Sequence, residues 1–349
     1  MKVGILTFHE ADSYGAVLQA YALQQTLSAL GAESEFVRIQ MPRAEAQPQA
    51  ASGAAALFAR RMQAESKKRE ALFSAFRQKY MRISRAYQPT DPIDSDYDCF
   101  IAGSDQIWNF RIPGADARYF LPFAQPEKRY SYAASFGADA LPEKAGAWAA
   151  VQLSQFQGLS VREASGCSII KELTGREARV CLDPTLLPDR AHWESLTTRE
   201  DTQPYVLLFL LKYDAALAEE AAQEARRLGL PLRTVTAAFM PQLGMAAWNT
   251  TGVTGWLSAI RGARRVFTNS FHGMVFSLIF GRSFRVGRLT GELSSRNGRL
   301  EELLEFLGLS GALEAVAEPD FDRIWQRLEP ERAASMEYLR GIVSHDPVA

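Results

Sequence analysis

Twice along this chain, short apolar runs alternate with segments whose apolar residues recur at helical spacing, and that alternation limits the fold more than any other feature. VGILTF (3–8) reads as a buried strand, GAVLQAYALQQTLSAL (15–30) as a helix ended by Gly31, and EFVRI (35–39) as the next strand. A polar Ala, Gln, Pro and Gly stretch (41–55) and a basic helix from about Ala54 to Lys79 follow. YDCFIAGS (97–104), RYSYAASFG (129–137), LSVRE (159–163) and ARVCLDPTLL (178–187) then read as strands separated by helices. The pattern restarts at YVLLFLL (205–211) and runs through PLRTVTA (231–237), RRVFT (264–268) and SFRVG (283–287), with GMVFSLIF (273–280) as an apolar helix. Such alternation predicts mostly parallel sheets with helices on both faces, that is, an α/β, doubly wound architecture.

At 349 residues the chain exceeds the size at which one core keeps growing, so two domains are expected. The polar, aperiodic stretch 190–204 is the natural linker, giving an N-terminal domain over 1–190 and a C-terminal one over 200–349, with the final helices packing back on the first. Two facing domains of this kind place a ligand in the cleft, outside the carboxyl ends of the strands.

Composition narrows the partners. A net charge of -1 gives no global attraction to nucleic acid, so anion recognition has to be local. The basic helix carries Arg60, Arg61, Lys67, Lys68 and Arg69; Glu65 and Glu70 interrupt it, so it reads as a solvated face, with at most peripheral contact with an anionic membrane as the alternative. Met1 to Glu10 lacks the apolar core of a secretory signal, and no run reaches the roughly 20 residues of a bilayer span. Three dispersed cysteines suit a reducing compartment, and a cytoplasmic location without a metal site is the expectation.

Within the cleft, two strand-end turns stand out. NSFHG (269–273) sets His272, one of four histidines, on the turn between a strand and a helix N-terminus, where exposed amides and the positive dipole end favour an anion. LSVRE places Arg162 at the end of an apolar strand, where a guanidinium must meet an anion. That anion is a bound carboxylate or phosphate, or else Glu163 or Asp183 in a salt bridge. No GxGxxG, GxxxxGK[ST], GxSxG or HExxH signature is present, which suits transfer chemistry without a bound cofactor.

These turns together resemble the polysaccharide pyruvyl transferase family. The resemblance rests on GILTFHEADSYGAVLQAYALQQTL, YDCFIAGSDQIWN, SYAASFG, LSVRE, LDPTLL and WLSAIRGARRVFTNSFHGMVFSLIFGRSF, then SRNGRLEELLEFLGL, in that order. It implies two Rossmann-like domains facing a cleft, as in GT-B glycosyltransferases, the first on the acceptor side and the second on the donor side. It also implies transfer of a pyruvyl group from phosphoenolpyruvate, as co-substrate, to a saccharide diol of a surface polysaccharide or its precursor, free or lipid-linked. His272 matches the family histidine and is the expected general acid. Arg162, Ser270, Phe271, Gly273, Arg296 and Arg299 are the expected donor-binding residues, and Asp12, Tyr14, Gly15, Ser104 and Asp105 the acceptor-binding ones, with Asp12 or Asp105 activating the acceptor hydroxyl. Relatives often carry Arg where this chain has Ser270, so Arg296 or Arg299 is the replacement cation. A nucleotide-sugar glycosyltransferase and a non-catalytic glycan-binding relative are the competing expectations.

Overall fold

Val3 and Ile5 are fully buried on strand β1 (Lys2–Leu6), as befits a strand covered by helices on both faces. This computed structural model describes residues 1–40, 53–88, 90–111, 117–138, 141–197, 203–243 and 251–344, apart from the side chains of 53–56, 143, 144, 295 and 296. β1 lies inside a parallel sheet with β2 (Glu33–Ile39) and β3 (Ile83–Tyr87) to one side. On the other side come β4 (Cys99–Asp105), β5 (Arg129–Ala134), β6 (Ser160–Val161) and β7 (Arg179–Val180), in the order β3-β2-β1-β4-β5-β6-β7. A second parallel sheet contains β8 (Val206–Leu210), β9 (Leu232–Thr236), β10 (Arg265–Thr268) and β11 (Ser283–Val286), in the order β11-β10-β8-β9. Two Rossmann-like sheets thus follow one another along the chain. The direction of winding reverses between β1 and β4 in the first and between β8 and β10 in the second, so each has one switch point where strand-end loops splay apart.

The helices are α1 (Tyr14–Ala29), α2 (Gly53–Tyr80), α3 (Glu143–Leu153), α4 (Ala164–Thr174), α5 (Arg190–Ser195), α6 (Ala215–Leu228), α7 (Val253–Gly262), α8 (Phe271–Ile279), α9 (Gly298–Leu307) and α10 (Phe321–Ser344). All nine residues of α8 are buried, which explains why its sequence is apolar on every side. The last helix reaches back to the first sheet: Tyr338 donates to the Ser131 carbonyl at 2.9 Å, Ser335 Oγ accepts from the Leu182 amide at 3.0 Å, and Arg332 donates to the Leu187 carbonyl at 2.8 Å.

Three local readings differ from the structure. ISRAY forms the edge strand β3, which sequence analysis passes over because most of it is exposed or half-buried and it lacks an apolar run. The polar stretch after residue 189 is not all linker: Asp189 accepts from the His192 amide at 2.7 Å and caps the short helix α5 around the buried Trp193. Residues 198–202 of that stretch lie outside the described residues. Phe271 and His272 belong to the first turn of α8 rather than to the preceding turn, because Ser270 is the N-cap.

One aromatic junction joins the two sheet layers. Tyr14, the first residue of α1, stacks on Trp256 of α7 with centroids 5.0 Å apart and planes within 7°. Phe73 of α2 and Phe209 of β8 close around it, and the Tyr14 hydroxyl donates to the Thr251 carbonyl at 2.7 Å. The guanidinium of Arg69 covers the Tyr14 and Phe73 rings and donates to the Tyr14 oxygen. Trp256→Ala should lower unfolding free energy by roughly 3–5 kcal/mol. Denaturant melts should then show a separate transition for each layer; one unchanged transition would mean that the junction is not what couples them.

Candidate active site

At the end of β10, three small polar side chains build the turn that carries His272. Asn269 accepts from the Leu211 amide at 2.8 Å and donates to the Lys212 carbonyl at 2.7 Å, tying the loop after β8 to the loop after β10 across the switch point. Thr268 Oγ1 accepts from the Ser270 amide at 3.1 Å, and Ser270 Oγ accepts from the Gly273 amide at 3.2 Å. A Cβ on Gly273 would lie 2.5 Å from Thr268 Oγ1, so only glycine lets α8 start this close to its strand. The Gly273 amide is therefore used by the cap, while those of Phe271 and His272 keep their place at the helix N-terminus.

His272 points from this turn into the first layer. A Cβ on Gly15 of α1 would fall 2.1 Å from its Nδ1, so the bare glycine backbone is what admits the ring. Its Nε2 lies 3.3 Å from Asp183 Oδ2 and has no aligned hydrogen bond among the described residues. Asp183, just past β7, is fully buried; its Oδ1 accepts from the Thr185 amide at 2.9 Å and from the Thr185 hydroxyl at 2.6 Å, which fixes the carboxylate in orientation.

Arg162 is the centre of the charge network. Its Nη2 lies 2.8 Å from Asp183 Oδ2 and also donates to Ser104 Oγ, whereas its Nη1 is 3.9 Å from Asp105. Of the two internal partners open to it, Asp183 is the one adopted. Glu163 instead accepts from the Ser135 hydroxyl at 2.7 Å and the Phe136 amide at 3.1 Å. Asp105 holds a left-handed backbone (φ 73°), unusual for a non-glycine residue, and its carboxylate also meets Arg299 Nη1 at 3.4 Å. The Phe271 ring completes the cluster, its centroid 5.4 Å from the Arg162 guanidinium carbon and 5.3 Å from that of Arg299.

Burial works against ionising Asp183, but the Arg162 guanidinium and then His272 outweigh it and hold the carboxyl well below the usual carboxylate range. Asp105 is lowered in the same way by Arg162 and Arg299 against its burial. Burial, reinforced by Arg162, pulls Arg299 downward. Arg162 Nε and Nη1 and Arg299 Nε are buried donors without a hydrogen-bond acceptor among the described residues. Beside them opens a cavity of about 270 Å³ whose lining includes Arg162, Asp183, Phe271 and Arg299. Unpaired cationic N–H groups of side chains that line a cavity are suited to an anion.

The structure thus gathers His272, Arg162, Phe271, Arg299, Asp105 and Ser104, with Gly15 beneath the imidazole. Ser104 is wholly buried and its hydroxyl donates to the Ala133 carbonyl at 3.0 Å, so it braces Arg162. Tyr14 is sealed in the junction, with its hydroxyl engaged there. Asp12 is paired with Arg77 at 3.0 Å. The Arg296 side chain lies outside the described residues. Asp183 entered the sequence analysis only as an alternative partner of Arg162; its signal was an acid directly before Pro184 at a strand end, the cap of the following turn. Among the described residues no group of three or more His, Cys, Asp or Glu is arranged to hold a metal ion.

Among solved structures, the chain is similar to the UDP-GlcNAc 2-epimerase of Neisseria meningitidis bound to UDP-GlcNAc (9% identity, 99% of each chain covered, TM-score 0.48). It is also similar to a putative UDP-N-acetylglucosamine 2-epimerase of Listeria monocytogenes (10% identity, 100% of this chain and 92% of that one, TM-score 0.47) and to the glycotransferase of kitacinnamycin (13% identity, 99% of each chain, TM-score 0.45). No curated protein matches. The family model described as polysaccharide pyruvyl transferase matches residues 14–286, from the start of α1 to the end of β11, and so spans every element that carries the cluster except α9. The chain belongs to the polysaccharide pyruvyl transferase family.

Proposed function

We propose that the chain transfers the pyruvyl group of phosphoenolpyruvate to two hydroxyls of a saccharide, forming a cyclic ketal and releasing phosphate. The observation that carries this reading is the gathering, around Asp183 and Phe271, of His272 with two guanidiniums, Arg162 and Arg299, that retain unpaired buried N–H groups. The donor carries a phosphate and a carboxylate, and two forked cations beside one aromatic ring suit such a pair of anionic groups.

In the proposed reaction His272 delivers a proton to the methylene carbon of the enol, leaving an oxocarbenium-like centre at the carbon bearing phosphate. One acceptor hydroxyl adds there, the bond to the phosphate oxygen breaks, and the second hydroxyl closes the ketal. The two hydroxyls release two protons; one restores His272 and the other leaves with the phosphate. Asp183 orients the imidazole and offsets its charge. Asp105, held in its ionised form by two arginines, is a weak base, so its part is to position Arg162 and Arg299 rather than to take the hydroxyl proton. Phosphoenolpyruvate is a cytoplasmic metabolite, so this reading places the enzyme in the cytoplasm with a saccharide as its partner and no bound cofactor.

Phosphate should appear only when phosphoenolpyruvate and an acceptor glycan are both present, and His272→Gln should slow its release by roughly 10²–10⁴-fold while leaving the unfolding midpoint in place. Release at the wild-type rate by that variant would remove His272 from the chemistry. Arg299→Gln gives up charge-assisted donors worth roughly 1.5–3 kcal/mol, so calorimetry should show donor affinity falling about 10- to 100-fold, with no binding of UDP by either protein. Binding of UDP in preference to phosphoenolpyruvate would favour a nucleotide-sugar transferase instead. Gly15→Ala puts a methyl group where His272 Nδ1 stands, so kcat should collapse while donor affinity, set by the arginines, stays within a few-fold.

A further inference from the structure

Helix α2 is long, and its two halves face different surroundings. Arg69, Phe73 and Phe76 in its second half are buried, whereas residues 57–61 near its start are exposed, Leu57 at 72%. At about 100° per residue the buried positions fall on one side of the helix axis. Lys67, Arg60, Ala64, Leu57, Lys68 and Arg61 fall roughly opposite, on one continuous arc of about 120° that Ala71 extends into the next turn. Every one of these residues is exposed. Glu65 and Glu70, which interrupt the basic run in the linear sequence, lie outside the arc on its two flanks. The arc therefore holds four cations, one leucine and two alanines, and no carboxylate.

We propose that this arc docks the protein on an anionic lipid bilayer. A solvated helix face of a protein with net charge -1 needs neither an exposed leucine nor four cations gathered on one arc with the acids only at its margins. A bilayer surface matches both: Leu57 enters the headgroup boundary, and the long stems of Arg60, Arg61, Lys67 and Lys68 carry their charges to lipid phosphates on either side of it. The helix is also placed for this. Its inner face holds the loop after β1, where Arg69 donates to the Asp12 carbonyl at 2.9 Å, and the chain beyond β9, where Phe58 packs edge-on to Phe239. Both contacts lie at the carboxyl ends of their sheets, so docking by the outer face sets the mouth of the cleft beside the headgroups. No helix among the described residues is long and apolar enough to cross a membrane, so the contact is peripheral. The proposal does not depend on the donor or on the reaction.

Sedimentation of the full chain with vesicles tests it. The protein should pellet with phosphatidylcholine vesicles containing about 30% phosphatidylglycerol, stay in solution with phosphatidylcholine alone, and be released by about 0.5 M salt. Each arc cation replaced by Gln should lower the partition coefficient about fivefold, and Arg60→Gln/Arg61→Gln/Lys67→Gln/Lys68→Gln should abolish pelleting with an unchanged thermal melt. Leu57→Ser, with every cation kept, should weaken binding several-fold. The proposal fails if the wild type ignores the anionic vesicles, if the fourfold variant pellets as well as wild type, if Leu57→Ser binds equally well, or if the chain binds a short RNA duplex in preference to vesicles.

Discussion

The ion pair between Arg162 and Asp183 is the contact on which the rest of the site depends. Both groups are almost wholly excluded from water, so each is the other's close counter-charge; removing one partner of such a pair costs about 3–5 kcal/mol because the survivor is left uncompensated. The pair ties the end of β6 to the turn after β7. The oxygen that meets Arg162 is also the one that faces His272, so a single carboxylate orients a cation from the first sheet and an imidazole from the second layer. With Asp105 joining Arg162 to Arg299, four formal charges cancel around Phe271. The two arginines still keep buried N–H groups without an acceptor among the described residues.

Ser270 has a local task at the start of α8. Its side chain is committed to capping α8, a role a guanidinium could not fill in the same way. The second cation of the cluster is Arg299 at the start of α9, lying over the Phe271 ring. Arg299 is held by Asp105, whose backbone takes up a conformation that residues other than glycine seldom adopt.

Much of this was legible in the sequence because it is written in period and position. Buried parallel strands such as VGILTF and YVLLFLL announce themselves as apolar runs, and the polar turns that follow them mark the carboxyl ends where His272, Arg162 and Asp105 stand. What the sequence did not reveal depends on contacts between distant elements. ISRAY is an edge strand with no apolar signature, and Asp189 starts a helix too short to show periodicity. Tyr14 looks like a cleft residue beside Gly15, yet the aromatic partners that enclose it come from Phe73, Phe209 and Trp256, which no local pattern connects. The acids of α2 break up its basic run in the linear sequence and stand at the margins of its basic face once the residues are wound onto a helix. Asp183 was visible as a cap, but its second role requires knowing that Arg162 and His272 share its other oxygen.

The contact between His272 and Gly15 ties the imidazole to the relative position of the two layers. One side of the ring rests on α1 of the first layer, although the residue itself is anchored to the second through α8. Any swing that parts the layers removes the floor beneath the imidazole and its distance to Asp183 in the same motion. The pairing of imidazole and carboxylate is therefore complete only where the two layers meet.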